Sequence, residues 1–141
     1  SSDVCSSDLN EARTKTKREK KMVVRAIRGA IQLDVDERDH LLKLTADLIS
    51  KMLHANNLHT DQLVSILFTA TPDITSEFPA LAARELGMGD VPLLCFTEMN
   101  VKKAMPLVVR VMMYAEMEVP RTEVKHVYLR GAEALRLDIA Q

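Results

Sequence analysis

Apolar positions recur with two different periods along this chain. Leu41, Leu44, Leu48, Met52 and Ala55 follow a helical spacing, with Leu42, Ile49 and Leu53 beside them. Elsewhere the apolar residues come in short β-rich runs. "MVVRAIRGAI" (22–31) predicts a strand, with Gly29 marking its end. "DVDERDH" then opens the long helix, with Asp36 as the expected N-cap and Asp39 three residues on. That helix should stop near Asn56 and Asn57. "LVSILFTATPD", closed by Pro72, predicts a buried strand. "FPALAARELG" predicts a short helix, because Pro79 suits a first turn and Gly87 suits a stop. "VPLLCFT" (91–97) is a further strand. "PLVVRVMMYAEMEV" (106–119) is ambiguous by period, but its β-branched start and its bounding prolines favour a strand. "KHVYLR" (125–130) is a last short strand. The order β-α-β-α-β-β-β has no internal repeat. It predicts a single α/β or α+β domain: one sheet of about five strands packed with helices.

Composition narrows this picture. The 141 residues suit one domain, and 47% of them are apolar, enough for a core. Aromatics are only 4% and Trp is absent, so Leu, Val, Ile and Met must fill it. Net charge is −1, which gives no general pull toward nucleic acid or a membrane surface. That average hides a split. Residues 1–21 carry six Lys/Arg and four acids, whereas the remainder carries thirteen basic and sixteen acidic residues. Residues 1–21 read as a disordered basic tail, polar and without apolar periodicity. Its opening "SSDVCSSDL" resembles a translated sequencing-adapter artefact, and Met22 reads as the natural start, leaving 22–141 as the folded domain. No apolar run approaches the roughly 18 residues of a membrane span. The basic run "TKTKREKK" is not followed by a signal-peptide core, since Arg25 and Arg28 interrupt it. Two cysteines, Cys5 and Cys95, make no disulfide framework, and a cytoplasmic location fits best.

Candidate chemistry is sparse. In "LLCFTEMNV", Cys95 and Glu98 sit three apart, which invites a nucleophile and its base. No histidine stands at a family-type spacing to activate the thiol, and a cysteine inside an apolar strand is commonly structural. His40, His54, His59 and His126 have no Cys or His partner at ligand spacing, so no metal site is expected; each reads as a surface or helix-end residue. There is no glycine-rich phosphate loop. Two arginines are more informative. Arg28 follows "VVRAI" in the first strand and Arg110 interrupts "LVVRVMM". A guanidinium within such runs is costly unless it meets an acid or faces a cleft. A strand edge or a structural ion pair would explain either one alone. Together with Glu98 and Tyr128, they point to a site that reads carboxylates by forked contacts.

"IRGA", "TATPD", "FPALAAREL", "VPLLCFTEM", "RVMMY" and "HVYLRGAEALR" occur in the order, and nearly the spacing, of the AroH-class chorismate mutases. The similarity runs from Met22 to about Asp138. The resemblance implies a pseudo-α/β-barrel fold with a mixed sheet, a homotrimer with three sites at its subunit interfaces, and the rearrangement of chorismate to prephenate in Phe and Tyr biosynthesis. It implies no metal and no cofactor. By motif, Arg110 resembles the partner of the breaking ether oxygen, Arg28 the carboxylate clamp, and Tyr128 its helper. Glu98 resembles the acceptor of the ring hydroxyl, with Cys95 beside it in the pocket wall. Phe78, Ala80 and Arg84 match a segment supplied by the neighbouring subunit, and Leu135 and Arg136 fall in a C-terminal segment that covers the site.

The sequence departs from that pattern at Leu81, where a Lys is expected, and at Leu94, where a Thr is expected. Both departures bear on substrate affinity more than on reaction type. Two alternatives stay within the same architecture: a trimeric imine deaminase of the RidA/YjgF type, and a ligand-binding protein that keeps the pocket without turnover. A nucleic-acid module would rest on the basic tail alone. The three-residue gap from Cys95 to Glu98 is not strand-alternation spacing, so a bend must follow Cys95 if both are to face one pocket.

Overall fold

The computed structural model describes residues 21–135. The basic tail expected at 1–21 lies outside them except for Lys21, as do Cys5 and Arg136. The strands are β1 (Val23–Gln32), β2 (Leu63–Ala70), β3 (Leu93–Thr97), β4 (Val108–Met117) and β5 (Val127–Leu129). The helices are α1 (Arg38–Ala55) and α2 (Ala80–Glu85). This is the expected order of elements, joined by short 3-10 turns.

The strands form one mixed sheet in the order β3-β2-β4-β1-β5. β4 is antiparallel to both β1 and β2, whereas β3 adds parallel to β2 and β5 adds parallel to β1. Within a single chain the sheet stays open, with β3 and β5 as its edges. The ambiguous segment from 106 to 119 is therefore the central strand. Its alternation is explicit: Val109, Val111, Met113, Ala115 and Met117 are buried, while Arg110 and Glu116 are exposed.

The buried face of the sheet is covered by α1, whose Leu41, Leu44, Leu48 and Met52 are all in the core. Gly29 does not end β1; the strand runs three residues past it. Gly29 marks instead a point where side chains of the helix press close against the sheet. A Cβ there would sit 2.4 Å from the Met52 sulfur and 3.2 Å from Leu48 Cδ1. Short α2 ends as expected. Gly87 adopts φ +90, Met88 N–H reaches back to Ala83 O (3.1 Å) and Gly87 N–H to Arg84 O (3.1 Å). That paired closure favours glycine at the left-handed position.

The expected N-cap is a correction. Glu37, not Asp36, precedes α1, and no side chain caps it. The Asp36 carboxylate is engaged elsewhere: it accepts the Thr75 N–H (2.9 Å), the Thr75 hydroxyl (2.9 Å) and the Ser76 N–H (3.1 Å). It thereby ties the entry of α1 to the loop leading into Phe78 and α2. Its pKa is lowered to about 2, first by the neighbouring Ser76 hydroxyl and then by the Thr75 amide. That hydroxyl stands outside hydrogen-bond geometry, so the two amides and the Thr75 hydroxyl are the firmer contacts. A carboxylate whose pKa is depressed on folding stabilises fully above its unfolded value of about 3.9 and loses that contribution as pH falls toward 2. Asp36→Asn should flatten this part of the acid-stability curve, read as denaturant midpoints between about pH 5 and 2.

Candidate active site

The face of the sheet opposite α1 carries the charged residues. Alternation on β4 places Arg110, Met112 and Tyr114 on this side. The register then fixes their neighbours: Arg28 lies opposite Met112 on β1, Thr69 opposite Arg110 on β2, and Tyr128 opposite Ala30 on β5. Phe96 pairs with Thr69 across the β2–β3 edge. Arg28, Glu98, Arg110 and Tyr128 thus line one open cleft of about 310 Å³, with Leu67, Thr69, Phe96, Met112 and Tyr114 as its remaining side-chain walls. Four residues far apart in sequence meet here because β1, β4 and β5 present the same face and β3 delivers Glu98 beside it.

Glu98 lies just past the end of β3, yet its N–H still bonds Ala70 O at 2.9 Å, so the ladder holds its backbone. Its side chain is largely covered and Oε1 faces two donors. The Thr69 hydroxyl donates to it in a short hydrogen bond, and Arg110 Nε stands 3.4 Å away. Half of the Arg110 side chain remains exposed to the cleft. The carboxylate is therefore oriented by a neutral donor and a cation, and the guanidinium keeps its terminal nitrogens for something in the cleft. Among the described residues no side-chain hydrogen bond or ion pair engages Arg28, whose guanidinium faces the same space.

Cys95 is not part of this wall. β3 continues straight through Thr97, with no bend after Cys95, so Cys95 and Glu98 face opposite sides. The thiol packs against the hydrophobic core and lines a second pocket with Phe78, Pro79 and Thr97. Burial pushes its pKa up, against the opposing effects of the Ala80 backbone and the Arg84 charge. Cys95 thus keeps company with the α2 residues: Ala80 is buried, Arg84 is exposed, and Phe78 stands 70% exposed just before the helix. The structure brings together Arg28, Glu98, Arg110 and Tyr128. Phe78, Ala80, Arg84 and Cys95 form a second group outside that cleft. Leu135, half-buried, lines neither.

Sequence reasoning did not single out Thr69, Phe96, Met112 or Tyr114. Met112 and Tyr114 share parity with Arg110 in "RVMMY", and that signal would have found them. Thr69 and Phe96 needed the pairing of β2 with β3 and β4, which no local pattern reveals.

A family model for chorismate mutase type I matches residues 24–139. The chain belongs to that family. It is 43% identical to chorismate mutase AroH of Thermus thermophilus over 118 residues, which cover 83% of this chain and 97% of that protein. It is 38% identical to chorismate mutase AroH of Bacillus subtilis (strain 168) over 120 residues, 84% of this chain and 94% of that protein. Among solved structures, a chorismate mutase from Clostridium thermocellum superposes with a TM-score of 0.76 at 37% identity, covering 77% of this chain and 97% of that one. Chorismate mutases carry out an intramolecular rearrangement, which accords with a cleft that presents two arginines and one carboxylate. Because its protonated form is favoured by burial, Cys95 should alkylate with iodoacetamide at pH 8 more slowly than the same cysteine in the urea-unfolded chain, as mapped by peptide mass spectrometry.

Proposed function

We propose that this chain converts chorismate to prephenate at the cleft formed by Arg28, Glu98, Arg110 and Tyr128. The observation that carries the reading is the Arg110–Glu98 pair: a half-exposed guanidinium beside an oriented carboxylate, on the same sheet face as a second arginine. The substrate is a dianion, so two guanidiniums recruit and orient it. One carbon–oxygen bond breaks as one carbon–carbon bond forms, in a single step within one molecule. No nucleophile, metal or cofactor enters such a step. The protein supplies a compact conformer and charges matched to the transition state.

Arg110 is the residue for the ether oxygen. Negative charge grows there as the bond breaks, and a fixed guanidinium gains most at that moment. Arg28 clamps a carboxylate, with the Tyr128 hydroxyl assisting. Glu98 accepts a hydrogen bond from the ring hydroxyl. It serves as an acceptor rather than a base, since no proton leaves the substrate.

The second group, Phe78, Ala80, Arg84 and Cys95, suits a wall contributed to the cleft of a neighbouring copy in a homotrimer. Support comes from the uncovered site face, where Val24, Leu94 and Phe96 are each about half exposed, and from Phe78, exposed beside α2. Leu94 and Leu81 put apolar surface where the family pattern carries polar groups, which favours packing over charge at those two points. Leu135 begins the segment proposed to cover the cleft. Among the described residues no helix is long and apolar enough to cross a membrane, and the proposed setting is the cytoplasm.

Purified protein should deplete chorismate absorbance and yield prephenate; absence of turnover above the uncatalysed rate would overturn the reading, leaving a binding protein. Arg110→Ala should lower kcat about 10²–10³-fold, the effect of removing one oxyanion donor, with a smaller change in KM. Arg110→Lys should recover only part, because an ammonium lacks the forked reach. Light scattering should give a mass near three chains, and a monomer would contradict interfacial sites.

A further inference from the structure

Strand β5 carries Tyr128 into the cleft, yet it is three residues long and lies at the edge of the sheet. Its ladder with β1 has three pairs: Gly29 with Val127, Ala30 with Tyr128, Ile31 with Leu129. So short a ladder specifies register weakly. A slip of one residue would turn Tyr128 toward the core and bring Val127 or Leu129 to the cleft. Something besides the backbone must hold it in place.

Two side chains do so at the point where β5 begins. Asn56, the residue that ends α1, grips the backbone of Lys125 from both sides: its Nδ2 donates to Lys125 O (2.9 Å) and its Oδ1 accepts the Lys125 N–H (2.9 Å). The same Nδ2 also donates to Met52 O at 2.9 Å, anchoring the clamp to the helix. One residue on, His126 Nδ1 accepts the backbone N–H of Arg28 at 2.9 Å. An imidazole nitrogen thus takes the place that a strand carbonyl would hold in a longer ladder. To accept, Nδ1 must be bare, which puts the ring proton on Nε2. His126 itself does not line the cleft.

We propose that His126 is a positioning residue for the chorismate site: by accepting the Arg28 N–H it fixes the register of β5 on β1, and so sets Tyr128, opposite Ala30, on the same sheet face as Arg28. The proposal rests on the site reading above for its kinetic consequence, but its structural content stands apart. The two residues it aligns are those proposed to bind carboxylate, whereas Arg110 and Glu98 sit on β4 and after β3 and do not depend on it. Its loss should therefore appear in KM before kcat.

The test compares His126→Leu, which removes the acceptor, with His126→Asn, whose Oδ1 can occupy the place of Nδ1. In the full chain, His126→Leu should raise KM for chorismate about tenfold or more while kcat stays within about threefold, and the Arg28 amide should lose its protection from hydrogen exchange. His126→Asn should restore KM to within about threefold of wild type and restore the protection. A fall in kcat at unchanged KM would mean only fewer folded molecules, and would overturn the proposal, as would equal impairment of the two variants. Should the Leu variant fail to fold, nitrogen NMR of the wild-type ring decides: a proton on Nε2 with Nδ1 bare supports the role, and a proton on Nδ1 overturns it. If wild-type protein turns over no chorismate, the reaction assignment fails, and the exchange and NMR results still decide the place of His126.

Discussion

Strand β4 has a neighbour on each side, so its side chains have only two directions to take. One direction is filled by Val109, Val111, Met113 and Ala115 packed under α1, and the other is left open. The site depends on this division. A guanidinium in the middle of an apolar strand is tolerable only because every second position of that strand faces an uncovered surface. Arg110 takes one such position, and the two strands paired to β4 place Arg28 and Thr69 on the same surface by register alone. The core and the cleft are two sides of one strand, so the packing that stabilises the first also fixes the second.

Within that frame, Glu98 explains why a carboxylate beside an arginine is not simply a structural ion pair. A pair closed on itself would leave both groups satisfied and the cleft inert. Here Oε1 accepts the Thr69 hydroxyl hydrogen bond and stands 3.4 Å from Arg110 Nε as an ion pair. Among the described residues, no hydrogen bond or ion pair engages Glu98 Oε2 or the outer nitrogens of Arg110. Orientation without saturation is what electrostatic catalysis requires, because a group already committed in the ground state has nothing to add as charge develops. A Lys at the position of Arg110 would have to divide one compact charge between Glu98 and the substrate.

Much of this was legible in the chain. Helical spacing from Leu41 to Met52, the proline-bounded run around Arg110, and Gly87 as a stop each lead to the observed element, because each depends on local chemistry. Arg28 and Arg110 were legible for another reason: charge in an apolar strand is costly, so its presence implies a purpose. What stayed hidden depends on partners distant in sequence. Asp36 looks like a helix cap from its neighbours, but Thr75 and Ser76, some forty residues away, claim its carboxylate. Gly29 looks like a strand end, and becomes a point of close approach only once Met52 lies over it. Thr69 and Phe96 join the cleft through strand pairing, which apolar periodicity does not encode.

Cys95 and Glu98 show the limit most clearly. Proximity in sequence made them look like one unit, and the straight course of β3 through Thr97 parts them. On the core side, burial keeps the thiol protonated next to Ala80 and Arg84; on the cleft side, Glu98 meets Arg110. A short strand with one candidate site residue on each face could serve two clefts at once, provided another copy of the chain brings its own open face against the α2 side. That arrangement would make β3 an edge only in the isolated chain. It would also account for a sheet that leaves Leu94 and Phe96 in water on one face and Phe78 in water beside α2. A monomer gains nothing by exposing these three, whereas in the proposed ring of copies each would be buried against a neighbour, and the same contact would complete every cleft.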